Sequence, residues 1–152
     1  MKGKLEKELQ DALTFLEREL HTPVIAGELR LWTASTARAC QRVRDCMSRR
    51  FFNDHDALMD EVLRQDPGQA SRIQQARETD ERLLTRIDAS CQQARTLNAN
   101  ASSAEPEEVH LMDQIADFRE TTEEIIRQTR EQETSLNTWY HESLYRDRGV
   151  AD

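Results

Sequence analysis

Residues that turn a chain are scarce in this sequence. It holds 4 Gly and 3 Pro in 152 residues, too few for the many short strands and tight turns of a sandwich or barrel. Its cysteines, Cys40, Cys46 and Cys91, are odd in number and form no C-x-x-C pair, which argues against a secreted disulfide framework or a zinc knuckle. Cys91 falls on an apolar periodic face and reads as a small buried hydrophobe. Cys40 and Cys46 stand too far round one helix to meet. No apolar run approaches the roughly 18 residues of a membrane span, and Met1-Lys2-Gly3-Lys4 leads into a charged amphipathic segment, unlike a signal peptide. Clustered positive charge is also missing overall: 29 Asp+Glu against 21 Lys+Arg give a net charge of −8 and a pI near 5.1, the wrong balance for displacing counterions from nucleic acid. The length suits one domain. Together these traits predict a soluble, cytoplasmic, all-α protein with no nucleic-acid or membrane partner.

What the chain does have is helical periodicity. Leu5, Leu9, Leu13, Leu16 and Leu20 recur every three or four residues among Glu, Lys and Gln, and His21-Thr22-Pro23 ends that stripe, since the residue before proline leaves the helical region. A second stripe runs Trp32, Ala39, Val43, Met47 (or Cys46), Phe51, Leu58 and Val62, with a kink expected near Asn53-Asp54 and a stop at Asp66-Pro67-Gly68. The third is Ile73, Ala76, Asp80, Leu83, Ile87, Cys91 (or Ser90), Ala94 and Leu97, a heptad-like seam. The polar stretch from Asn98 to Ala104 follows as a connector. Pro106 opens the fourth helix with Glu105, Glu107 and Glu108 at the positive end of its dipole. Its inner face reads Ile115, Phe118, Thr122, Ile125 (or Ile126), Thr129, Leu136, Trp139 or Tyr140, and Leu144, and Arg148-Gly149 ends it. The expectation is an antiparallel up-down-up-down four-helix bundle, one domain over 1–152, with helices at about 2–20, 28–65, 69–97 and 106–146.

Chemistry in such bundles comes from ionisable residues on inner faces. His55 and Asp80 are so placed, with Glu133 four residues after Thr129, while His21, His110 and His141 fall at helix margins. Glu120, Glu123, Glu124, Glu131 and Glu133 alternate with Arg119, Arg127 and Arg130 as a solvated face. Arg38, Arg42, Arg44, Arg49 and Arg50 form a basic stretch, read either as charge balance against a neighbouring acidic helix or as a docking patch for an acidic partner. Trp139, Tyr140 and Tyr145 either cap the open end of the bundle or leave an apolar patch for a second chain. No Ser-His-Asp arrangement, P-loop or zinc motif is present.

Phe51-Phe52-Asn53-Asp54-His55-Asp56-Ala57-Leu58-Met59-Asp60 resembles the second helix of hemerythrin-like (HHE) domains, where an aromatic pair precedes a ligand histidine. Ala76-Arg77-Glu78-Thr79-Asp80-Glu81-Arg82-Leu83-Leu84 resembles the family's third-helix segment, with Asp80 at a ligand-histidine position. Thr129-Arg130-Glu131-Gln132-Glu133 is similar to its last ligand segment, with Thr129 replacing histidine. The layout extends over roughly residues 2–135. The resemblance implies a four-helix bundle descended from a di-iron protein, yet Met59 and Leu84 occupy further ligand positions and only His55 matches as histidine. Two metal ions need several hard oxygen and imidazole donors. His55, Asp80 and Glu133 are the metal candidates and are too few, so no metal and no cofactor is expected. The reading is a non-enzymatic hemerythrin-like bundle acting as an interaction or regulatory module, through a protein partner or self-association. The alternative is a metal or small-ligand sensor built on the polar layer around His55, in which His55 and Asp80 are neighbours.

Overall fold

A computed structural model describes the backbone of residues 3–151 and the side chains of residues 3–143. It is an all-α four-helix bundle with no strand among the described residues. The first helix, α1, is Lys4–His21. The second is continuous in backbone dihedrals but built of three parts: α2 (Leu29–Arg49), a π-helical turn (Arg50–His55) and α3 (Asp56–Gln65). A short 3₁₀ turn at Pro67–Gln69 leads into α4 (Ala70–Ala101), and α5 spans Glu108–Ala151.

Stops are chemical. The carboxylate of Asp66 accepts a hydrogen bond from the Gly68 N–H at 3.1 Å, closing the turn that ends α3. Gly27 has φ +89°, a conformation that glycine adopts without steric cost; its N–H donates to Glu108 Oε1 at 3.2 Å and fastens the α1–α2 connector to the start of α5. Three expected boundaries move. Asn98 to Ala101 continue α4, because Asn98 is held by the Thr33 hydroxyl across the bundle at 3.0 Å and helical hydrogen bonding runs on to Ser102. Pro106 stands just ahead of α5, and Gly149 does not terminate that helix, which reaches Ala151. Leu144 and Tyr145, expected on the inner face and at the bundle end, have side chains outside the described residues.

Cross-helix pairs give the register. Ser35 near the start of α2 donates to Glu19 near the end of α1, whereas Arg49 at the end of α2 approaches Glu8 near the start of α1. Thr33 pairs with Asn98 and His55 with Asp80; Ser90 pairs with Thr122 and Ala76 with Gln132. Each neighbouring pair therefore runs in opposite senses.

Leu9, Leu13, Leu16 and Leu20 are buried, as are Ile73, Leu83, Ile87, Cys91, Ala94 and Leu97. The second helix differs from expectation at one step: Met59 is fully buried and Leu58 only half-buried. Met47, Phe51, His55 and Met59 are thus all inward at successive steps of four. In an ideal α-helix each such step overshoots a full turn by about 40°, so three would drift roughly 120° off the core. The π turn, in which the Asp56 N–H reaches back five residues to the Phe51 carbonyl, absorbs that drift. The widened turn lies at Asn53-Asp54, where a kink is expected from the sequence.

Candidate functional site

The apolar interior is divided in two. A large cluster extends from Leu9, Leu13 and Leu16 through Val43, Met47, Phe51, Ile87 and Phe118. A smaller one joins Met59, Val62, Ile73, Leu136 and Trp139. Between them lies a layer of charge contributed by three helical segments: Arg50 and His55 on the π turn, Asp80 on α4, and Glu133 on α5, all buried.

His55 is fully buried and stacks on Phe51, with ring centroids 4.5 Å apart and planes 18° from parallel. Phe52, the other half of the aromatic pair, is exposed. His55 Nδ1 lies 2.9 Å from Asp80 Oδ2, and Nε2 lies 2.7 Å from Glu133 Oε1. Both ring nitrogens face carboxylate oxygens, so the ring satisfies both only as an imidazolium that donates twice. Burial opposes that charge, but the hydrogen bonds to Asp80 and Glu133 outweigh it and hold the His55 pKa above its ordinary value.

Glu133 is the hub. Arg50 Nε donates to Oε1 at 3.2 Å and Oε2 at 3.1 Å, and Nη2 reaches Oε2 at 3.0 Å. Burial would raise the Glu133 pKa; the hydrogen bonds from His55 and Arg50 prevail and place it below the usual carboxylate value. Arg50 Nη1 donates to Asp54 Oδ2 at 2.7 Å. Gln132 Nε2 donates to the other Asp80 oxygen at 2.9 Å. The layer closes on itself: each charge has an opposite charge in contact, as burial demands.

His55 and Asp80 are neighbours, and Glu133 completes the triad of candidates. Glu133 itself leaves the solvated acidic face to which its sequence neighbours belong, because it falls on the inner stripe of α5. Thr129 does not join the layer; its hydroxyl donates to the Ile125 carbonyl of its own helix at 2.8 Å. Arg50 departs furthest from expectation. It belongs to the basic stretch by sequence but is 4% exposed. Arg50 and His55 are five residues apart, about 140° around an α-helix, and only the π turn brings both inward. His21, His110 and His141 are exposed. Among the described residues no group of three or more His, Cys, Asp or Glu side chains is arranged to hold a metal ion.

Beside the layer, between α1, the π turn, α3 and α5, opens a cleft of about 430 Å³. Arg50 and Asp54 line it together with Glu6, Leu58, Asn137 and Tyr140.

No family model, curated protein or solved structure matches this chain. The site's chemistry therefore stands on its own geometry. Among the described residues no helix is long and apolar enough to cross a membrane.

Proposed function

We propose that this chain is a non-enzymatic helical-bundle protein that works as an interaction or regulatory module. Hemerythrin-like descent belongs to the same proposal and rests on the sequence resemblance. The observation that supports the reading is the closure of the polar layer. A general base or a metal-ligating histidine needs a ring nitrogen with an available lone pair. Both nitrogens of His55 are committed to carboxylates at 2.9 and 2.7 Å, and Glu133 is shared between His55 and Arg50. The layer's chemistry is that of a latch joining α4 and α5 to the π turn. The odd set of three cysteines fits a reducing, cytoplasmic setting. The test is elemental analysis combined with solution mass on one preparation expressed in metal-supplemented medium. The expected result is no stoichiometric iron, zinc or manganese; stoichiometric metal in the folded protein overturns the reading.

A second reading, a small-ligand sensor, is favoured by the cleft beside the layer. Arg50 and Asp54 belong to both, so a molecule seated there would compete for the contacts that tie Arg50 in place. Its test is a shift of the unfolding midpoint across a small-molecule panel, compared between wild type and Leu58→Glu, which obstructs the cleft. A ligand-induced shift equal in both proteins sinks this reading.

A further inference from the structure

The basic stretch of the second helix does two different things. Arg50 turns inward, and Arg44 pairs with Asp88 of α4. Arg49 faces Glu8 of α1 at 3.7 Å. Arg38 and Arg42 are exposed, and no carboxylate among the described residues pairs with either. These two lie one helical turn apart, on the line that continues to Arg49, and all three line a groove of about 520 Å³ shared with Glu8 and Asp45. Glu8 is answered by Arg49, and Asp45 by Gln41 at 3.1 Å and by Arg44 at 3.4 Å. The groove thus carries three arginines against two carboxylates, and Arg38 and Arg42 are the two of its arginines with no carboxylate in contact among the described residues. Beside it stands Phe15 of α1, 40% exposed, with the Arg42 guanidinium 6.0 Å from its ring centre.

We propose that the α1–α2 groove is the docking surface of the module, and that its partner is an acidic amphipathic helix whose carboxylates engage Arg38 and Arg42 while an apolar side chain covers Phe15. This rests on the interaction-module reading and names the partner's chemistry. Two guanidiniums one turn apart match two carboxylates one turn apart on a helix, and each planar guanidinium can donate two N–H groups to one carboxylate. From Arg38 to Arg49 the line covers about 16 Å at 1.5 Å per residue, or three turns of a partner helix. Charge makes the surface selective. The chain's net charge of −8 repels an acidic segment at large, so such a segment is held only where the local field is reversed.

The experiment uses the full chain and a fluorescein-labelled, covalently stapled helix of about 15 residues, long enough to hold three turns, with glutamates four apart flanking a leucine. Fluorescence anisotropy is read for wild type, for Arg38→Ala/Arg42→Ala, for Phe15→Ser and for Arg82→Ala. Arg82 is an exposed arginine of α4 remote from the groove. Melting curves establish that all four proteins fold. Saturable binding to wild type and to Arg82→Ala is expected, weakened about tenfold by the double arginine change and measurably by Phe15→Ser. It should fade as salt rises from about 0.05 to about 0.5 M and be absent for the glutamine version of the helix. No saturable binding to wild type, equal binding by the double variant, or equal binding of the glutamine helix overturns the proposal. The parent reading fails separately, on stoichiometric metal.

Discussion

Glu133→Gln is the sharpest perturbation of the buried layer. The side chains of Glu133 and Arg50 are 3% and 5% exposed, and His55 is fully buried. The change removes one negative charge and keeps the size. It leaves Arg50 and His55 without the carboxylate they share, and the new amide N–H₂ points a donor at one of two donors. Removing one member of a buried ion pair costs about 3–5 kcal/mol, most of it the desolvation of the charge left behind. For a chain of this length each kcal/mol moves the unfolding midpoint by roughly 2–4 °C, so a fall of roughly 6–20 °C is expected. Circular dichroism melts and urea titrations at neutral pH measure it, with Glu131→Gln as the control; Glu131 is an exposed partner of Arg127 on the same helix, and its loss leaves the midpoint unchanged. A second arm removes both charges of the central pair, Arg50→Met with Glu133→Leu. It should recover part of the loss, since well-packed apolar substitutes avoid the desolvation cost. A loss below about 1 kcal/mol for Glu133→Gln refutes the reasoning, because a group that cheap to neutralise is not held in a dry ion-paired layer.

Three further outcomes follow from the same geometry. Met59→Ala costs about 2–5 kcal/mol in urea unfolding and Leu58→Ala markedly less; the reverse order would mean that the π turn does not carry the inward face past His55. Thermal midpoints across pH should form a plateau with two limbs. His55, raised in the fold, contributes fully below its ordinary 6.5 and loses its contribution as pH rises through its higher folded value. Glu133, lowered in the fold, contributes above its ordinary 4.5 and loses its contribution as pH falls through its lower folded value. His55→Gln should flatten the alkaline limb relative to wild type, and an unchanged limb counts against the imidazolium. Cys40, Cys46 and Cys91 are all buried, so an aromatic disulfide reagent should reach no thiol in the native protein and three in urea.

Glycine and proline scarcity together with three- and four-residue apolar steps determined that this chain would be helical, where it would break within a few residues, and which faces would meet. Those are local properties: a leucine stripe on α1 or the seam from Ile73 to Leu97 is set by 3.6 residues per turn and needs no neighbour to be read. Asp80 and Glu133 were legible for the same reason, since each falls on such a seam. Arg50, by contrast, reads as a surface residue by its charge and its company of arginines, although it stands three residues after Met47 and seven after Val43, on the apolar line. Only the tertiary structure decided its place: its guanidinium meets Glu133, 83 residues away, and the π turn that starts at Arg50 keeps His55, which meets Asp80 25 residues away, on the same inner side. The boundary of α4 was likewise decided from outside, by Thr33 holding Asn98. The division of Arg38, Arg42, Arg44, Arg49 and Arg50 into one buried, two paired and two unmatched required the positions of α1, α4 and α5. Periodicity tells which side of a helix is dry; which charges meet there depends on the length and twist of every helix packed against it.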